Sequence, residues 1–186
     1  GVQTCALPIY MRIFSIYFIL AISLFALSKK QLFVLQEVRD VAKTIPDKHG
    51  ETYENTLSAI CLTESSAGRD SIGDFKGKTK ITKASLGPMQ MQVRTVRFMA
   101  KSFKKLAWIH EMSDINIAQR LISDVRFSAE ISAYYMVWLS NTRPTFYNAV
   151  SGYNGGFNNW TYYSKIIKRM AFVKKQVATG DRKSVV

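Results

Sequence analysis

An all-α domain is what the sequence predicts. Apolar residues recur at three- and four-residue spacing along most of the chain. No segment shows sustained period-two alternation bounded by hairpin signals, and the Gly, Pro and Asn clusters fall between the periodic segments. The 186 residues are 47% hydrophobic and 12% aromatic, with no repeat or low-complexity tract, so one domain with one core is expected. A formal charge of +13 excludes an acidic solvating protein and points to a polyanionic partner or surface.

Both ends stand apart. Residues 1–10 and 181–186 resemble translated sequencing adapter, in the strings Gly1-Val2-Gln3-Thr4-Cys5-Ala6-Leu7-Pro8-Ile9 and Asp181-Arg182-Lys183-Ser184-Val185-Val186. Residues 11–28 read as an export signal: Met11 and Arg12, an apolar run from Ile13 to Leu27, and small residues at Ala26 and Ser28 before Lys29-Lys30. The run falls short of the roughly 20 residues that span a bilayer comfortably. N-terminal membrane association is expected only if the signal stays uncleaved. The implied location is the periplasm or cell envelope, with residues 29–180 as the mature domain, whose strong positive excess survives removal of Arg12, Asp181, Arg182 and Lys183. Without Cys5, Cys61 is left alone and no intramolecular disulfide can form, so stability has to come from packing.

The first helix is expected through Leu32, Leu35, Val38, Val41 and Ala42, closed by Pro46 and His49-Gly50. Tyr53, Leu57, Ile60, Cys61 and Glu64 trace a second, with Glu64 on or beside its apolar face near the end. Ser65 to Leu86 reads as a long loop, after which Pro88 is expected to open a helix through Met91, Val96, Met99 and Phe103. Ser113 suits an N-cap for a helix through Ile117 and Leu121. Phe127, Ile131, Tyr134, Tyr135 and Trp138 mark the next helix. Pro144 opens a short one that stops at Ser151-Gly152-Tyr153-Asn154-Gly155-Gly156, and a last helix runs from about Thr161 towards Val177.

A carboxylate on an apolar helix face is the unusual feature. Desolvation disfavours its charged form, so the Glu64 pKa should rise and leave it able to donate a proton as a general acid. Cys61, on the same face, reads as a small buried hydrophobe. His49 and His110 have no metal-ligand spacing, and neither a metal nor a cofactor is expected.

Three segments in order, Glu64-Ser65, Gly87-Pro88-Met89-Gln90 and Gly152-Tyr153-Asn154-Gly155-Gly156, resemble the lytic transglycosylase catalytic domain of the soluble-transglycosylase type, a relative of goose-type lysozyme. Gly87-Pro88-Met89-Gln90 is similar to that family's Gly-Leu-Met-Gln, and Gly152-Tyr153-Asn154-Gly155-Gly156 to its Ala-Tyr-Asn-x-Gly. Tyr162-Tyr163 after the Tyr-Asn turn, leading into the last helix, adds to the likeness, which covers roughly Leu32 to Val177. The resemblance implies a lysozyme-like helical domain with a glycan-binding groove, acting as a monomer on peptidoglycan strands. It implies cleavage of the β-1,4 bond between N-acetylmuramic acid and N-acetylglucosamine, with one carboxyl, Glu64, acting as acid and then base while the C6 hydroxyl of the sugar attacks C1. The product is a 1,6-anhydromuramic end. Most glycosidases use two carboxylates, whereas here the substrate's N-acetyl group is expected to stabilise the cationic intermediate. Ser65, Met89, Gln90, Tyr153, Asn154 and Tyr162 are the implied substrate-binding residues, with Ser65 alternatively a helix-end cap and Asn154 alternatively a turn former. Trp138 is expected in the core and one of Tyr162 and Tyr163 in the groove.

Two departures stand out. Pro88 replaces the family's leucine, and the segment from Ser66 to Ser85 is long and charged, with Asp70, Asp74, Lys76, Lys78, Lys80 and Lys83. Asp70 or Asp74 would suit positioning a water, making the enzyme a hydrolytic muramidase with the same Glu64; the lysines would suit anionic stem peptides. A non-catalytic peptidoglycan-binding envelope protein is a further reading, against which the intact Glu64-Ser65 pair argues. The clusters Lys101-Lys104-Lys105 and Lys165-Lys168-Arg169 would suit a nucleic-acid binder, but an export signal does not, and no nucleic-acid partner is expected.

Overall fold

The computed structural model describes residues 27–75 and 80–183, with the side chains of the last helix described through residue 176. The adapter-like residues 1–10, the signal segment up to residue 26, Lys76, Lys78 and residues 184–186 lie outside the described residues. What is described is mostly helical: α1 (Lys29–Lys43), α2 (Glu54–Ser65), α3 (Val93–Ser102), α4 (Asp114–Ser123), α5 (Val125–Thr142), α6 (Phe146–Tyr153) and α7 (Trp160–Lys183). No described helix is long and apolar enough to cross a membrane.

Helix α5 is the hub, in contact with α1, α2, α3, α4 and α6. Its sequence allows this, because Phe127, Ile131, Met136 and Leu139 are buried together with the small Ser128, Ala129, Ser132 and Ala133, leaving little polar face. Asp124 caps it by accepting from the Phe127 N–H at 2.9 Å. Helix α2 buries Leu57, Ile60 and Cys61 completely and packs between α1 and α7. Each fully buried aliphatic side chain of this kind contributes about 1.5–3 kcal/mol. The start of α1 is a capping box: Ser28 Oγ accepts from Gln31 N–H, and Gln31 Oε1 accepts from Ser28 N–H. Ser113 caps α4 in the expected way, accepting from Asn116 N–H.

The segment between α2 and α3 departs from the expected loop and helix. Ile72–Gly73 (β1) pairs antiparallel with Ser85–Leu86 (β2), and Ile81–Lys83 forms one 3₁₀ turn. Two-residue strands are too short to leave a period-two trace in sequence. Pro88 does not open a helix. Leu86 and Met91 exchange backbone hydrogen bonds at 2.9 Å, closing Gly87-Pro88-Met89-Gln90 into a tight turn with Pro88 at its second position. Gly87 has φ +74°, and a Cβ there would lie 1.9 Å from the Leu121 carbonyl oxygen, so only glycine fits. Helix α3 therefore starts at Val93.

Smaller differences follow local chemistry. Lys104–Glu111 is 3₁₀ helix, burying Leu106 and Ile109 at three-residue spacing, a stretch for which the sequence predicts no helix. Thr145, not Pro144, begins α6, its hydroxyl accepting from Asn148 N–H. Trp138 is only partly buried: it packs edge-on against Phe98 and stacks on Tyr135 at the rim of the core.

Candidate active site

Glu64 sits in the last turn of α2, half-buried, and lines a groove of about 270 Å³. Its Oε1 accepts a 2.5 Å hydrogen bond from the Tyr162 hydroxyl on α7, while Oε2 has no bond to any described residue. Burial pushes the Glu64 pKa up. The Tyr162 bond and the positive charge of Lys165 pull the other way without cancelling it, and Asp74 adds to the rise. The upward shift expected from the sequence is therefore present. Burial and the adjacent carboxyl in turn hold the Tyr162 hydroxyl far above its ordinary value, so Tyr162 only donates.

The support behind Glu64 comes from the two turns. Ser65 is fully buried; its hydroxyl donates to the Pro88 carbonyl at 2.6 Å, lies 3.1 Å from the Cys61 carbonyl and accepts from the Gly68 N–H at 2.8 Å. It thus bolts the end of α2 to the 87–90 turn. Beyond it Ser66 and Ala67 hold left-handed backbone at φ 52° and 57°, an unfavourable conformation for non-glycine residues directly beside the carboxyl. Gln31 on α1 donates to the Ser66 carbonyl at 2.8 Å and helps to hold this reversal.

The second support runs through α6 and α7. Buried Asn148 donates to the Phe157 carbonyl and to Asn158 Oδ1, holding the loop after Tyr153. Asn159 precedes α7 and caps it, its Oδ1 accepting from Tyr162 N–H at 3.0 Å, while its Nδ2 donates to Asn154 Oδ1. One residue therefore ties the Tyr-Asn turn to the tyrosine that holds Glu64. Arg169, one helical stretch further along α7, donates to the Leu62 carbonyl of α2 and keeps the two helices in register.

Of the residues expected to bind substrate, Gln90, Tyr153 and Asn154 line the groove with Glu64. Gln90 does so while donating through Nε2 to the Asp70 and Gly87 carbonyls, which fixes the turn to the preceding loop. The Tyr153 ring faces the groove, but its hydroxyl is committed within the fold, near the Met89 carbonyl, Met91 Sδ and Ser132 Oγ. Three expectations need correction. Met89 is fully buried, because the tight turn tucks its side chain into the core, and Met91 lines the groove instead. Ser65 is sealed from solvent and acts through the Pro88 carbonyl. Tyr162, 8% exposed, holds Glu64 from within the fold and is absent from the groove lining; Tyr163 packs against Phe146, Tyr147 and Trp160.

No protein-family model, curated protein or solved structure matches this chain.

Tyr135, from the aromatic stripe of α5, lines the groove, and sequence reasoning misses a further part of the wall, Gln92, Arg94 and Thr95. The last three sit at the cap and first turn of α3, and the signal for them is their place immediately after a turn that faces the groove. Asp74, one of two aspartates singled out in the long loop, lines it as well, whereas Asp70 is exposed and pairs with Arg69. Cys61 is buried with its thiol pushed up to about 12 by desolvation, consistent with packing. Among the described residues no cluster of His, Cys, Asp and Glu would hold a metal ion.

Among the described residues one other carboxyl is raised by burial. Glu130 lies in a separate recess of about 610 Å³ with Arg120, Asp124 and Lys105, but it has no hydrogen bond among the described residues and neither turn approaches it. Among the described residues Glu64 alone combines an elevated pKa, an anchoring donor and a groove.

Proposed function

We propose that this protein is a peptidoglycan lytic transglycosylase with a lysozyme-like helical fold, acting as a monomer in the cell envelope. The observation that carries the reading is Glu64: a carboxyl kept towards its protonated form by burial, anchored at one oxygen by Tyr162, in a groove walled by Gln90, Tyr153 and Asn154. In the first step the Glu64 carboxyl gives its proton to the glycosidic oxygen as the bond to C1 of the muramic residue breaks. The substrate's own N-acetyl group shares the positive charge that develops at C1. The C6 hydroxyl of the same sugar then attacks C1 and returns its proton to Glu64, closing the 1,6-anhydro ring and regenerating the acid. Polar residues on both sides of the groove suit a sugar chain, which presents hydroxyls and amides along its length.

Asp74 supports a second reading. It is the other carboxylate on the groove wall, so a water held by it and delivered to C1 would make the reaction hydrolysis with the same Glu64. Mass spectrometry of soluble fragments from purified peptidoglycan treated with the full chain separates the two. Anhydromuramic ends are the expected result; reducing muramic ends would replace the proposed reaction by hydrolysis, and strands bound but uncut would leave an envelope-binding protein.

A further inference from the structure

Helix α7 turns one face inward and leaves the other open. Tyr162, Ile166 and Val173 are buried on the side that packs on α2, whereas Trp160, Ile167 and Ala171, on the opposite side at about 100° per residue, are exposed. Lys168 and Lys174 flank that outer stripe and are exposed as well. At its start the stripe widens into a ring cluster: Trp160 lies 5.6 Å from Tyr163 and 5.9 Å from Tyr147, and Phe146 meets Tyr163 at 6.2 Å. Trp160 is 68% exposed, Phe146 38% and Phe157, in the loop just before α7, 50%. That loop is pinned, since Asn148 donates to the Phe157 carbonyl at 3.1 Å. Exposed rings gathered at one place on a fixed framework mark an interaction surface.

The charge around these rings has one sign. Between Glu130 and Asp181 the sequence has no acidic residue, while it has Arg143, Lys165, Lys168, Arg169, Lys174 and Lys175. The Arg143 guanidinium lies over the Phe157 ring at 5.0 Å, and its Nε is buried without a hydrogen-bond partner among the described residues. Neither Arg143 nor Lys168 forms an ion pair with a described acid. Protein interfaces are poor in lysine, whereas rings with lysines beside them suit the headgroup layer of a bilayer, where a ring meets apolar chains below and water above and a cation meets phosphate. We propose that this face, with Phe146, Phe157, Trp160, Ile167, Arg143 and Lys168, docks on the surface of an anionic phospholipid bilayer. Helix α7 lies in the plane of the interface, Phe157 and Trp160 enter to headgroup depth, and Arg143 and Lys168 take lipid phosphates. None of these residues lines the Glu64 groove, and the docking does not depend on the reaction assigned to Glu64.

The test mixes the full chain with vesicles of phosphatidylcholine alone and of an equal mixture of phosphatidylcholine and phosphatidylglycerol, and reads the bound fraction by sedimentation. The apolar run 13–27 is common to all variants, so the differences between variants carry the answer. Phe157→Ser with Trp160→Ser should weaken binding to the anionic vesicles about ten-fold or more. Lys168→Gln, which removes an exposed charge without touching the rings, should weaken it about five-fold. A lipid brominated near its headgroup should quench the tryptophan emission, and Trp160→Phe should abolish that quenching with Trp108 and Trp138 left in place. Vesicle binding unchanged in the variants, or quenching that survives Trp160→Phe, would overturn the proposal. So would a Trp160-dependent dimer, or Trp160-dependent retention on lipid-free glycan strands with vesicle binding unaltered, which would make the cluster a self-association face or a sugar platform instead.

Discussion

Replacing the Glu64 carboxyl by its amide separates the chemical role of that side chain from its cost to the fold. Because Glu64 titrates above its ordinary value in the folded chain, its protonated form is the one the fold accommodates; the native protein loses stability as pH rises from the ordinary carboxylate range through the folded pKa. Glu64→Gln, which stays neutral, should therefore match the native chain in acid and exceed it above that pKa, as read by denaturant unfolding across pH. Tyr162→Phe tests positioning. The hydroxyl bond favours the charged carboxylate, so its loss should raise the Glu64 pKa further and move the alkaline limb of the activity profile to higher pH. A profile that falls in height without moving would assign Tyr162 a packing role only.

At the scale of elements, the site depends on two short connections being held against helix ends. Ser65→Ala leaves the Pro88 carbonyl and Gly68 N–H without their buried partner, and should cost about 1–3 kcal/mol in denaturant unfolding. Gly87→Ala combines a left-handed φ with backbone overlap at Leu121 and should be worse than Ser65→Ala in the same measurement. The helices are legible in the sequence because their apolar faces repeat over several turns: α2 shows Glu64 on the side of Leu57, Ile60 and Cys61 in sequence and in structure alike. Pro88 misleads because a proline serves equally at the first turn of a helix and at the second position of a β-turn, and the Leu86–Met91 pairing that decides between them is not a periodic signal. Met89 misleads with it, since burial on that turn depends on the left-handed Gln90 at φ 50°. The role of Tyr162 is out of reach for another reason: its partner lies 98 residues away, and only the packing of α7 on α2 joins them.

Across the whole molecule, one buried polar network lies far along α2 from Glu64. Asp47 accepts from the Tyr53 hydroxyl at 2.6 Å and from the His49 and Glu51 N–H groups, and the Tyr53 hydroxyl also meets Ser140 of α5 at 2.5 Å, so the link between α1 and α2 is tied to the hub helix. Burial raises the Asp47 pKa, but these bonds outweigh it and leave the carboxyl below its ordinary value. Its stabilisation should hold above the ordinary carboxylate range and fade as pH falls through the lowered pKa, a loss that Asp47→Asn should not show. The same acidification leaves Glu64 protonated, so the fold and the proton donor are both intact between the lowered Asp47 pKa and the raised Glu64 pKa. The chain's formal charge of +13 adds a salt dependence: retention on purified peptidoglycan should weaken as ionic strength rises through the physiological range. The most direct measurement of Glu64 chemistry is digestion of purified peptidoglycan by the full chain beside Glu64→Gln, with released fragments counted by mass spectrometry. Anhydromuramic fragments that fall at least about 100-fold in a folded Glu64→Gln variant are the predicted result; fragments released equally by both proteins would contradict it.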